Sequence, residues 1–260
     1  MSCSDNEESA TNLLDVIDLE AEAALESNFE DLDVIVDAGL ETVSSNGRVE
    51  EDEILDCAVK THDKDNKTLT IDFGDGCEGN DGRVRAGKVI ITYSDHRLIP
   101  GASRTITLDG FSVDGVAVEG TRSIENISAS LDDHPTFSVS LIGGKMTFED
   151  ETFATRETEH TRTWVRGKNP LNDEAWIEGT ASGQRRDAVS YQVTVLERIV
   201  YKRGCKLNRV FIPVSGVKQI TSGGNIVLVD YGDGECDNIV TITINGGEPF
   251  TKEIKLRGRF

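Results

Sequence analysis

Leu14, Ile17, Ala21, Leu25, Phe29, Leu32, Val36 and Leu40 recur every three or four residues, with acids filling the gaps. That spacing puts them on one stripe of a helix and predicts helical structure over residues 11–43. Ser27 and Glu30 have capping-box spacing, so the run is expected to break into two helices near Ser27–Asn28. Gly39 weakens its C-terminal end. Most helical stability comes from packing such a stripe on other elements, which is the expected role here. Residues 44–53 then read as a polar, acidic linker.

From Ile54 onward the period drops to two. Phe111, Val113, Val116 and Val118 surround Asp114-Gly115, a strong hairpin signal. Phe137, Val139 and Leu141 alternate with serines, and Gly143-Gly144 is expected to turn the chain towards Met146 and Phe148. Residues 155–164 are polar at nearly every position, which suits an edge strand or a wetted sheet face. Val189, Tyr191, Val193, Val195, Ile199 and Tyr201 share one face of a long strand, with Glu197 marking a bulge. Further strands are expected at 226–231, 239–244 and 250–256. Dense strands without intervening helices predict a mainly β fold, an antiparallel sheet built as a sandwich or an open curved sheet.

One stretch occurs twice. Residues 69–77 read Leu-Thr-Ile-Asp-Phe-Gly-Asp-Gly-Cys, and residues 228–236 read Leu-Val-Asp-Tyr-Gly-Asp-Gly-Glu-Cys. Each copy is an apolar run, an Asp-aromatic pair, Gly-Asp-Gly and a cysteine, followed by a β-branched run at 89–93 or 239–244. Strand, tight turn, cysteine and next strand is the natural reading. A second cysteine precedes each copy, Cys57 and Cys205. The sheet is therefore expected to contain two related units, meeting near residues 166–185. The organisation read from the sequence is a tether over 1–9, an acidic helical segment over 10–45 and a β domain over 54–260.

Charge sharpens that division. Of 47 acids and 27 bases, residues 1–56 hold 18 acids and only Arg48, so this stretch carries −17 of the total −20. Such an arm repels nucleic-acid phosphates and anionic lipid surfaces. No apolar stretch approaches the ~20 residues of a spanning helix. Aromatic content is only 6%, so the core must rest on Val, Ile and Leu.

The fifth cysteine, Cys3, is followed by Ser4, Asp5, Asn6, Glu7 and Glu8. This resembles the mature start of a bacterial lipoprotein, whose N-terminal cysteine is acylated after signal cleavage, with Met1 and Ser2 standing ahead of it. The acidic string resembles the export signal that takes Bacteroidota lipoproteins to the outer face of the outer membrane. The resemblance implies lipid attachment at Cys3, localisation to the cell outer membrane facing the exterior, and membrane association through the acyl anchor alone. An exported protein meets an oxidising environment, so Cys57, Cys77, Cys205 and Cys236 are expected as two disulfides. Of the three possible pairings, Cys57–Cys77 with Cys205–Cys236 makes the two copies alike. No cysteine pair has zinc-knuckle spacing.

Residues 57–257 carry a wider likeness. The run 81–88 (Asp-Gly-Arg-Val-Arg-Ala-Gly-Lys), Glu119-Gly-Thr-Arg122, Thr161-Arg-Thr-Trp164, Gly179-Thr-Ala-Ser-Gly183, Lys202-Arg-Gly-Cys205 and the closing Asp-Tyr-Gly-Asp-Gly-x-Cys resemble a family of uncharacterised Bacteroidota surface lipoproteins. That resemblance implies a surface location and a β fold. The Asp-Phe-Gly-Asp-Gly run also resembles the central motif of the polycystic-kidney-disease type sandwich. The Trp before that motif and the His-x-Tyr strand after it are missing, so the likeness is local.

Candidate chemistry is sparse. Asp72, Asp75, Glu78, Asn80 and Asp81, and Asp230, Asp233, Glu235 and Asp237, offer hard oxygens for calcium, but their spacing fits Asx-type turns and not an EF-hand loop. Glu149/Asp150/Glu151 and Asp173/Glu174 could pose as the paired acids of a glycoside hydrolase, yet both read as solvated loops. His62, His96, His134 and His160 fall in no metal or nucleophile motif. No catalytic or metal residue and no cofactor is assigned. Arg156, His160, Arg162 and Trp164 are the candidate contact surface. The expected function is a non-enzymatic binding or scaffolding role towards a surface protein or glycan, with no nucleic-acid partner. The alternatives are a carrier whose curved sheet cups an apolar ligand, and a glycan-binding module using Trp164, Trp176 and Tyr93.

Overall fold

The structure, a computed structural model, describes residues 19–44, 55–80, 82–208, 210 and 212–254. Cys3 and the tether lie outside these residues, as do Asp81 and the helical positions before Leu19.

One helix, α1 (Leu19–Ser44), precedes the strands. The first strands are β1 (Val59–Asp63), β2 (Thr68–Asp72), β3 (Cys77–Glu78), β4 (Val84–Tyr93) and β5 (Ser103–Val113). β6 (Val116–Asn126), β7 (Thr136–Thr147), β8 (Phe153–Val165) and β9 (Glu174–Gln184) follow. The last are β10 (Ser190–Lys202), β11 (Ser215–Ser222), β12 (Asn225–Asp233), β13 (Ile239–Ile244) and β14 (Phe250–Glu253). They form one open sheet in chain order from β1 to β14, with the short β3 pairing off the path onto β4. Every pairing recorded between neighbours is antiparallel, the arrangement that short hairpin connections produce. Of the two architectures open to the sequence, the chain adopts the open sheet.

Two compact units share these elements: residues 27–159, and residues 19–26 with 160–254. In the first, alternation along the strands puts one face under the helix. A row directly across five strands reads Leu69, Ile91, Ile106, Arg122 and Leu141, every member buried. Phe29, Leu32, Ile35, Val36 and Ala38 of α1 are buried with this face. A Cβ on Gly39 would lie 2.6 Å from Ile71 Cδ1 and 3.1 Å from Leu69 Cδ2, so the missing side chain lets helix and β2 approach. The adjacent outward row is Thr68, Thr92, Thr105, Ser123 and Ser140, a line of hydroxyls one strand apart. In the second unit the buried side is purely apolar over most of its extent: Val193, Ile220, Val227, Val229, Val240, Ile242 and Ile244, closed by Val210, Ile212 and Val214.

The helix runs unbroken through Ser27–Asn28, so the expected break is not made. No Gly or Pro interrupts residues 19–38, and propagation is cheaper than a second nucleation. Gly143-Gly144 is not a turn either. Both lie inside β7, where the register against β6 shifts between Glu119 and Thr121. A Cβ on Gly144 would stand 2.2 Å from the Arg156 backbone oxygen, so this glycine admits the neighbouring strand at a bulge. β8 is an interior strand between β7 and β9 and not an edge. The Glu197 bulge is present, with register shifts on both sides of that residue. Asp114-Gly115 makes the two-residue hairpin, with φ of 51° and 79°.

Among the described residues, no helix is long and apolar enough to cross a membrane.

Candidate functional site

The repeated motif folds alike in both copies. Each runs cysteine, strand, strand, Gly-Asp-Gly turn, cysteine, strand: Cys57, β1, β2, Cys77, β4 in the first unit, and Cys205, β11, β12, Cys236, β13 in the second. Gly74 N–H donates to Asp72 Oδ1 at 2.9 Å, and Gly232 N–H to Asp230 Oδ1 at 2.8 Å. These Asx turns explain the aspartate that opens each motif. The cysteines pair within each copy, with Cα–Cα separations of 5.7 Å for Cys57–Cys77 and 5.2 Å for Cys205–Cys236, inside the usual disulfide range. The motif is thus a brace at both ends of the strand order. Among the described residues, no group of three or more His, Cys, Asp or Glu gathers as a metal-holding set.

The main concentration of charge lies where α1 meets the sheet in the first unit. Asp31 pairs with Arg83 at 3.2 Å and with Arg85 at 3.0 Å. Asp33 takes both Arg122 Nε–H and a terminal Arg122 N–H, at 2.7 and 2.8 Å. Asp37 joins Arg97 at 2.6 Å and Arg104 at 2.5 Å, and Glu41 meets Arg97 at 3.2 Å. Arg83 also donates to Asn28 Oδ1 at 2.6 Å. Arg85 is fully buried and Arg122 nearly so. The helix therefore sets acids along both flanks of its buried stripe, each over a guanidinium from β4, β5, β6 or the β4–β5 loop. In the second unit, Lys218 reaches Glu26 at 3.5 Å and lies over the Tyr231 ring.

Past the Asp37 pairs, near the end of α1, the surface dips into a depression of about 260 Å³, a volume that includes space open to solvent. Leu40, Ala102, Ile124 and Phe137 form its apolar wall; Tyr93, Asp95, Arg97, Ser103 and Arg104 supply its polar groups. Tyr93 is fixed by its hydroxyl's 2.7 Å hydrogen bond with His62 Nε2, and the two rings stack.

The residues singled out from sequence fall in several places. Arg156 is buried and leaves the candidate contact surface, because Ala154, Arg156 and Thr158 alternate onto the covered side of β8. His160, Arg162 and Trp164 follow it on β8 and are half-buried. Trp164 Nε1–H donates to Asp173 at 2.9 Å, and Trp176 Nε1–H to Glu174 at 2.8 Å. Arg198 lies 4.4 Å above the Trp176 ring and occupies one of its faces. Tyr93 belongs to the other unit, so these three aromatics do not share one unit's surface. Asp173 is a loop clasp: the Gly167 N–H holds its carboxyl below the usual carboxylate range, against the opposing effect of burial and with help from Trp164 and Arg203. Glu149, Asp150 and Glu151 make the exposed β7–β8 turn, where Asp150 Oδ1 accepts from Thr152. His62, His96 and His134 sit on separate elements of the first unit and His160 in the second.

The arginines under the helix were missed in the sequence. Their signal is parity: Arg104 stands two residues from Ile106 and Arg122 two from Ile124, so each shares a strand face with a core residue.

The chain matches no protein-family model, no curated protein and no solved structure.

Proposed function

We propose that the protein is a non-enzymatic, surface-exposed outer-membrane lipoprotein, held by an acyl anchor at Cys3 and serving as a binding or scaffolding module. The observation that carries the reading is the occupation of the sheet's covered face by the chain's own helix. Phe29, Leu32, Ile35 and Val36 fill the space that a carrier would leave for an apolar cargo, and the Asp–Arg pairs close its sides. That favours a scaffold over a carrier. What is left for partners is the outward side, where Thr92 and Thr105 of the hydroxyl row are exposed. The two braced hairpins and the acidic N-terminal stretch fit a rigid body on an extracellular tether.

The test uses the protein with its own export signal in its own host. A membrane-impermeant biotin reagent on intact cells should label it, and Cys3→Ala should release it from the membrane fraction. Complete protection from the reagent, or wild-type protein found in the soluble fraction, would overturn the reading.

A further inference from the structure

The two sulfur braces share a motif but not an environment. β1 is the first strand of the sheet order and pairs with β2; among the described residues nothing pairs with its other side. β11, its counterpart in the second copy, runs between β10 and β12. Cys57 is exposed, and its partner Cys77 keeps 8% of its surface. Cys205 keeps only 2% and belongs to the apolar core of the second unit, with the half-buried Cys236 packed against that core. A disulfide is broken by attack of a thiolate on one of its sulfurs, so access decides which bond reacts. In the first brace that access lies at Cys57.

Little else holds β1. Val59, Lys60, Thr61 and Asp63, four of its five residues, are exposed. Leu55, fully buried, anchors the chain ahead of the brace. His62 holds the far end through its 2.7 Å hydrogen bond and ring stacking with Tyr93. Between these points the strand depends on its pairing with β2 and on the Cys57–Cys77 link. Segments with few buried contacts open at low free energy. A cross-link spanning 20 residues restricts the opened chain and so opposes that opening.

We propose that Cys57–Cys77 is a redox latch on the open edge of the sheet, released by an external dithiol while Cys205–Cys236 stays closed. One thiolate of the dithiol attacks Cys57 Sγ, the S–S bond breaks, and Cys77 leaves as a thiolate that takes up a proton. The dithiol's second thiolate then attacks its own first sulfur in the mixed disulfide and closes a cyclic disulfide. Cys57 leaves and is protonated in turn. Two electrons and two protons have passed from dithiol to protein. Residues 59–61 then fray from β2, as far as the His62–Tyr93 contact. The latch goes beyond the scaffold reading and does not depend on where the chain is anchored.

The experiment treats the folded full chain with dithiothreitol in the absence of denaturant, any thiol at Cys3 having been alkylated beforehand. Free thiols are trapped with N-ethylmaleimide and located by peptide mapping, and amide hydrogen exchange is followed on the same samples. A species labelled at Cys57 and Cys77 alone is expected, with faster exchange over residues 59–61 and unchanged exchange over β10, β11 and β12. Oxidised dithiothreitol should restore the slow exchange. Cys57→Ser with Cys77→Ser should exchange fast over residues 59–61 without any reductant. Labelling of Cys205 and Cys236 together with or ahead of the first pair would overturn the proposal, as would resistance of both bonds in the folded chain. Slow exchange over residues 59–61 in the reduced wild type would overturn it too, whatever the double variant does.

Discussion

Asp33 and Arg122 meet through two parallel hydrogen bonds of 2.7 and 2.8 Å, one residue on α1 and the other in the middle of β6, 89 positions away. Arg122 occupies a place in the buried row between Ile106 and Leu141, where the strands otherwise present aliphatic side chains. Breaking such a pair from one side leaves a charge uncompensated, whereas replacing both with apolar residues of similar volume is often neutral. Asp33→Ala should therefore destabilise by about 3–5 kcal/mol. Asp33→Leu combined with Arg122→Met should recover most of that loss. Urea unfolding of the two variants and the wild type checks it; a double variant as unstable as the single one would refute the account.

The close approach at Gly144 predicts a backbone effect. Its ideal Cβ falls on the Arg156 carbonyl oxygen, which cannot step aside without moving a strand, and beside the Leu141 side chain. Gly144→Ala should lower stability by about 1–3 kcal/mol, the usual range for overpacking. Gly39→Ala meets only side-chain ends, those of Ile71 and Leu69, and gains helix propensity of about 1 kcal/mol, so its net effect should be the smaller of the two. Thermal melts of both variants rank them.

The two sulfur braces close spans of 20 and 31 residues, worth about 3–4 kcal/mol each in the chain-entropy model. Non-reducing peptide mapping should return Cys57 with Cys77 and Cys205 with Cys236. Cys205→Ala with Cys236→Ala should leave a folded but weaker protein. Any crossed pairing in material oxidised during export would contradict the fold.

Asp173 gives a pH dependence of known sign. Its folded-state pKa lies below the ordinary value, first through the Gly167 N–H. A depressed carboxyl stabilises the fold at pH values above its unfolded pKa of about 3.9, and that contribution fades as pH falls through the lower folded value. Asp173→Asn should thus be less stable than wild type at neutral pH, and the gap should close as the solution is acidified below about pH 4. Emission from Trp164, whose indole N–H Asp173 accepts, reports the transition. A gap that stays constant down to the acid transition would remove Asp173 from this role.

Most of what depends on near neighbours could be read from the chain alone, the helix break expected at Ser27–Asn28 being the exception. The helical stripe, the Asp114-Gly115 hairpin, the Glu197 bulge and the doubled turn with its cysteines are written within a few residues of one another. Period, φ preference and Asx bonding act over that range. Polarity misled wherever a polar residue had a distant partner. Arg156 reads as surface until β8 is known to be an interior strand, and Gly143-Gly144 reads as a turn until Arg156 is seen to need the space. The seam itself and the depression near its end came only with the tertiary structure. A guanidinium in an aliphatic row is tolerable only when a carboxylate is lowered onto it, and for Arg85, Arg104 and Arg122 that carboxylate lies 54 to 89 residues earlier in the chain. Burial and pairing are properties of the packed whole, so no local pattern encodes them.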